Sequence, residues 1–141
     1  MDHLEPKARS QLMSRVRSRN TQPEMKLRKA LYARGLRYRL HAKELPGKPD
    51  IVFRTARIAI FVHGCFWHQH YGCIRAAVPK SNTAFWKKKL NGNVARDCRN
   101  REALIAIGYR VITVWECEIK TIEGLRTIVE TIAHEVAEGH A

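Results

Sequence analysis

Residues 63 to 73 read His63-Gly64-Cys65-Phe66-Trp67-His68-Gln69-His70-Tyr71-Gly72-Cys73, which gathers two cysteines, three histidines and three aromatic rings. Cys65, His70 and Cys73 follow a C-x4-H-x2-C spacing that suits a tetrahedral zinc ion. Structural zinc closes with four protein ligands, so a fourth must come from elsewhere; Cys98 and Cys117 are the candidates. A metal clip would order a short segment with little core of its own and turn Phe66 and Trp67 outward. The competing explanation has Cys65, Phe66 and Trp67 ending a buried strand and the histidines forming a solvated turn.

His63 and His68 are left over once His70 goes to zinc. Asp50 follows the turn Leu45-Pro46-Gly47-Lys48-Pro49 and opens a strand. A second strand, 58–62, is apolar throughout and leads straight into the histidine loop. With a hairpin tip at 55–56, Asp50 falls opposite Phe61, near Val62 and His63. A strand carboxylate beside histidines in a basic protein points to a Mg²⁺-dependent phosphodiesterase. Mg²⁺ binds through one or two carboxylates together with phosphate oxygens and water. Histidine is the proton carrier suited to neutral pH.

The elements that must position these groups are readable in outline. Lys7, Arg9, Arg15, Arg17 and Arg19, with Leu12, Met13 and Val16 between them, make residues 1–20 a basic arm. Such an arm either orders on a phosphate backbone or stays a solvated terminus. Residues 21–141 are expected to form one domain. Thr21, Pro23 and Glu24 mark a helix start, with Glu24 at the capping-box position. Leu27, Ala30 and Leu31 give that helix its buried face, and Gly35 ends it. Leu36, Tyr38 and Leu40 alternate as on a half-exposed strand.

Residues 79–92 read as a polar connection carrying Phe85, Trp86, Lys87, Lys88 and Lys89. Trp86 is either a core anchor beside a solvated face or a ring that meets bases while the lysines meet phosphates. Val94, Cys98, Arg101 and Ile105 line one side of a helix ending at Gly108, with Asp97 one step round. A β-branched strand over 109–115 precedes Cys117, and Leu125, Ile128, Val129, Ile132 and Val136 define the last helix. The element order, with two helices at the start and two between the third and fourth strands, predicts an α/β fold: a mixed sheet with helices against its faces. Cys117, at a strand end, reaches a loop at another strand end better than Cys98 in mid-helix.

The chain has 141 residues, 45% of them hydrophobic, which suits one domain with a real core. Lysine and arginine number 26 against 13 acidic residues, a net charge of +13. That excess selects a polyanionic partner, nucleic acid before an anionic membrane. No apolar run reaches transmembrane length and Met1 to Lys7 hold no apolar signal region, so the cytosol is the expected compartment. Four cysteines there favour metal over disulfides.

Pro46-Gly47-Lys48-Pro49-Asp50, Phe61-Val62-His63-Gly64-Cys65-Phe66-Trp67-His68 and Val114-Trp115-Glu116-Cys117 closely resemble the very-short-patch repair (Vsr) endonucleases. Met13 to Thr21 and Glu24 match that family too, so the resemblance runs from about residue 8 to 137. It implies a restriction-endonuclease-like fold and strand-specific nicking 5′ of the thymine in T·G mismatches left by deaminated 5-methylcytosine. It also implies Mg²⁺ on Asp50 and the Val62 backbone carbonyl, with His68 acting on the attacking water and His63 and Glu24 in support. Cys65, His70, Cys73 and Cys117 match the structural zinc ligands. Phe66, Trp67 and Trp86 match rings wedged beside the mismatch, and Met13 a minor-groove contact of the arm.

A monomer in the bacterial cytosol, with a functional link to a cytosine-5 DNA methyltransferase, is expected. Three features depart from its pattern. Val62 stands where threonine is expected in some relatives, the His70 to Cys73 spacing is one residue longer than in some members, and the restriction-type lysine is absent, as it is across the family. A zinc-stabilised binding module without catalysis, or a nuclease for another nucleic acid, are the alternatives.

Overall fold

The computed structural model describes residues 20–139, so Met13 and nearly all of the basic arm lie outside the described residues. Helix α1 (Gln22–Ala33) starts as its sequence requires: the Thr21 hydroxyl accepts the Glu24 N–H and Pro23 occupies the first turn. It ends in a Schellman turn. Gly35, at φ +98°, lets the Leu36 N–H bond the Leu31 carbonyl and its own N–H bond that of Tyr32. Strands β1 (Arg39–Leu40), β2 (Ile51–Phe53) and β3 (Ile58–His63) follow, then helix α2 (Thr83–Ala106), β4 (Arg110–Trp115) and helix α3 (Ile122–Gly139). Short 3-10 turns occupy Ile74–Ala76 and Glu116–Ile119.

The four strands form one mixed sheet in the order β1-β2-β3-β4. The first two pairings are antiparallel and the last is parallel, with α2 in the crossover. Leu27 and Leu31 of α1, Ile51, Phe53, Ile58, Ile60 and Val114 of the sheet, and Val129, Ile132 and Val136 of α3 make one buried cluster. Full burial of side chains of this size contributes about 1.5–3 kcal/mol each, which holds both helices against the sheet. The hairpin register follows the expectation: Ile51 faces Ile60, and the next step sets Asp50 against Phe61.

Three expectations need correction. The strand over residues 36–41 shrinks to Arg39–Leu40, because the chain turns at His41 with φ +47°. The polar connection at 79–92 is helical from Thr83 onward, and one 24-residue helix with a 3-10 turn replaces two helices. The buried side of α2 is also different: Val94 and Ile105 are exposed, whereas Trp86, Leu90, Asn93 and Leu104 are buried. Residues 86, 90, 93, 97, 100 and 104 share one helical stripe. Its middle is polar because it faces a cleft instead of the core. Gly47 seals this contact from the other side; a Cβ there would lie 2.8 Å from the Asn100 Cβ.

Trp86 is 0% exposed, so it does not offer a free ring to DNA. It lies beneath Phe66, Trp67 and Phe85, with ring centroids 5.5, 5.9 and 5.2 Å away. Trp86→Ala is therefore expected to lower unfolding free energy by about 3–5 kcal/mol, the range for emptying a packed tryptophan site. Urea denaturation measures it; a variant as stable as the parent would return Trp86 to the surface.

Candidate active site and metal-ligand cluster

Strand β3 ends at His63 and β4 at Trp115, paired side by side in parallel. The loops leaving both strands therefore meet. The Glu116 carboxylate accepts the Cys65 N–H at 3.0 Å, and the His70 ring stacks on Trp115 at 4.2 Å. Within the loop, His68 and His70 donate their N–H groups to the carbonyls of Gly64 and Cys65. The result gathers ligand atoms of Cys65, His70, Cys73 and Cys117 within 4.8 Å of one another.

Sulfur to His70 Nδ1 distances are 3.7 Å from Cys65 and 3.4 Å from Cys117. A tetrahedral ion with sulfur arms of about 2.3 Å and nitrogen arms of about 2.0 Å needs such edges of roughly 3.5 Å, so the set fits one. Cys98 is exposed and outside it. Burial pushes the Cys65 thiol up to about 12, so its thiolate needs a cation beside it; the Arg75 N–H lowers that of Cys73.

The second centre lies in an open cleft of about 910 Å³ between β2, β3 and the polar stripe of α2. Asp50 accepts the Val62 N–H at 2.7 Å. Burial outweighs that bond and raises the Asp50 carboxyl to about 6, with the charge of Glu24 adding to the effect. Glu24, 1% exposed, and His41 complete an acidic corner whose ligand atoms lie within 4.8 Å. Glu24 also caps its helix, though one residue beyond the expected partner: it accepts the Asn20 N–H at 2.9 Å.

Opposite the acidic corner, the rings of His63 and His68 stack at 3.7 Å and 4°. His68 Nδ1 lies 2.6 Å from an Asp97 oxygen. Burial lowers His63 to about 4, with repulsion from His68 adding to it, so His63 is neutral at physiological pH. An Nδ1–H held by Asp97 leaves the far nitrogen of His68 as a proton acceptor. Lys43, Lys48, Lys89 and Arg96 also line the cleft. Lys87 and Lys88 are exposed on α2 outside that lining, while Phe66 and Trp67 are half-buried above Trp86.

The structure thus brings Glu24, Asp50, Val62, His63 and His68 to one cleft and the four sulfur and imidazole ligands to one point beside it. Sequence reasoning missed His41 and gave no role to Asp97, Asn93 or Glu116. The only signal for Asp97 was its place on the same helical stripe as Trp86 and Leu90.

Comparison with known proteins places the chain among nicking endonucleases. The family described as "DNA mismatch endonuclease Vsr" matches residues 1–74. The chain is 48% identical over 131 residues to the type II nicking enzyme V.XorIIP of Xanthomonas oryzae pv. oryzae, covering 93% of this chain and 96% of the relative. It is 42% identical over 130 residues to V.NmeAIP of Neisseria meningitidis, covering 92% of each. It is also 42% identical over 117 residues to the DNA mismatch endonuclease Vsr of Escherichia coli K12, covering 83% and 74%. The chain belongs to the Vsr family of DNA endonucleases. Among the described residues, no helix is long and apolar enough to cross a membrane.

The raised Asp50 carboxyl makes a stability prediction. A carboxyl above its ordinary value of 3.8 favours the fold only while protonated. That contribution is complete below about pH 4 and is lost as pH rises through about 6. In Mg²⁺-free buffer, Asp50→Asn should therefore be more stable than the parent at about pH 7.5, with the gap closing by about pH 4. Urea unfolding at both pH values checks this. A gap that stays constant across the range would contradict the buried, raised carboxyl.

Proposed function

We propose that this enzyme nicks duplex DNA on the 5′ side of the thymine in a T·G mismatch, using Mg²⁺ for hydrolysis and zinc as a structural ion. The observation that carries the proposal is the meeting of Asp50 with the His68–Asp97 pair in one basic-rimmed cleft. The name of the Escherichia coli relative, a DNA mismatch endonuclease, supports the mismatch as substrate. The antiparallel β1-β2-β3 unit with parallel β4 suits the restriction-endonuclease-like class. Residues 1–20 act as an arm on the duplex, with Met13 at its minor groove, and 21–141 form the single nuclease domain.

Asp50 and the Val62 backbone carbonyl would hold Mg²⁺, which supplies charge neutralisation at the phosphate and a more acidic water. His68 takes the proton of the attacking water, and Asp97 fixes its tautomer. Neutral His63 fixes the His68 ring plane by stacking, and Glu24 supports the acidic corner. Lys89 and Arg96 hold phosphate at the cleft, and Lys87 and Lys88 extend the basic face. These contacts carry no sequence information.

Discrimination falls to Phe66 and Trp67, backed by Trp86. Wedging a ring into a duplex costs a few kcal/mol per step, and a wobble pair lowers that cost. Zinc on Cys65, His70, Cys73 and Cys117 stiffens the wedge. The enzyme works as a cytosolic monomer on lesions that follow cytosine-5 methylation.

Nicking of matched and T·G duplexes, with and without Mg²⁺, tests the proposal. The T·G strand should be cut only with Mg²⁺. Asp50→Ala should lose more than about 10³-fold in rate, and His68→Ala about 10²- to 10⁴-fold, with duplex affinity largely kept. Equal cutting of matched duplex, or wild-type rates from Asp50→Ala, would refute it.

A further inference from the structure

The acidic corner contains a third side chain, His41, beside Glu24 and Asp50. His41 follows β1 directly, with its backbone in the left-handed region at φ +47°. Its N–H donates to the Asp50 carbonyl at 3.1 Å, and the next N–H, of Ala42, to that of Pro49 at 3.3 Å. The same backbone ladder therefore places both His41 and Asp50. The His41 ring turns toward α1, where Nε2 lies 2.7 Å from Glu24 Oε2.

We propose that His41 is a positioning residue for the nicking reaction: it orients the Glu24 carboxylate beside Asp50. The proposal rests on the reading of Glu24 as a supporting residue of the reaction. Two carboxylates within 4.8 Å repel one another, so the buried one needs a tether. Glu24 Oε1 is fixed by the Asn20 N–H at 2.9 Å. Among the described residues, its Oε2 has two donors, His41 at 2.7 Å and Arg28 at a long 3.4 Å.

Arg28 sits on the same helix, one turn beyond Glu24, and is also held by the Asn20 side chain at 2.8 Å. It draws the carboxylate along α1. Among the described residues, His41 alone ties Oε2 to the backbone ladder that places Asp50. With both oxygens of Glu24 already engaged by donors, hydrogen bonding to His41 accounts for the imidazole without a metal ligand at that nitrogen. Removal of His41 leaves Oε2 to Arg28 and turns the carboxylate away from Asp50.

The test compares His41→Leu, His41→Gln and Glu24→Gln by single-turnover nicking, duplex binding and thermal melting. Glutamine carries an amide N–H at nearly the reach of imidazole Nε2, so it preserves the donor and removes the ring. His41→Leu should nick about 10- to 100-fold more slowly, duplex affinity staying within about twofold, while His41→Gln recovers to within about threefold of the parent. A residue with a merely structural role would lower melting temperature and affinity together and would not separate the two variants.

Wild-type nicking by His41→Leu alongside an impaired Glu24→Gln would overturn the inference and leave the role of Glu24 standing. His41→Gln as slow as His41→Leu would also overturn it, since the ring itself would then be needed. Unimpaired nicking by Glu24→Gln would remove the reading of Glu24, and the role of His41 with it.

Discussion

The parallel pairing of β3 with β4 is the constraint on which the site depends. It sets His63 beside Trp115, so the segments that follow them, 64–73 and 116–119, leave the sheet at the same place. Ile119 and Cys65 are the buried apolar residues of these segments. The segments are joined by polar contacts and ligand atoms: Glu116 to the Cys65 N–H, Trp115 under the His70 ring, and Cys117 against His70. A slip of one residue in β4 would turn its side chains to the opposite face. It would break the four-ligand set and leave the His68 loop unsupported. Buried apolar surface holds α1, α3 and the sheet together, and it reaches this loop through Cys65 and through Phe66 and Trp67 on Trp86.

Charge is arranged in two layers around the cleft. The floor is acidic where Glu24 and Asp50 meet, and the wall is a neutral histidine stacked on one tied to Asp97. Lysines and Arg96 surround them in a chain with a net charge of +13. The basic rim attracts a polyanion over a distance set by salt screening. The acidic floor repels a bare phosphate unless cations lie between. The raised Asp50 carboxyl expresses the same tension: burial makes its charge costly, and a nearby cation would restore it. A charge on this residue therefore lowers stability.

Much of this arrangement was legible in the sequence because it depends on short spacings. The C-x4-H-x2-C pattern, the strand-end place of Cys117 and the two-residue period of the β2–β3 hairpin all act locally. So do the apolar faces of α1 and α3. Helix α2 misled because the usual signal is hydrophobic periodicity, and its inward stripe holds Asn93, Asp97 and Asn100. Those residues turn inward to bond the Trp67 carbonyl, to hold His68 and to meet Gly47. The truly apolar Val94 and Ile105 face solvent. Trp86 is buried because three other rings cover it, two of them from the 64–73 loop, contacts no local pattern reports. His41 was unreadable for a different reason: its left-handed backbone and its partner on α1 are properties of the assembled sheet, 17 residues apart in the chain.

The central claim of the proposed function is that a zinc clip on Cys65, His70, Cys73 and Cys117 sets the geometry of His68, Phe66 and Trp67. Stepwise removal of zinc by a thiol-competing chelator, with bound zinc, far-UV circular dichroism and single-turnover T·G nicking followed on the same samples, tests it most directly. One zinc per chain is expected at the start. Nicking then falls in proportion to the zinc lost, while the helical signal of α1, α2 and α3 persists. Full nicking by zinc-free protein, or loss of the helices in step with the metal, would contradict it.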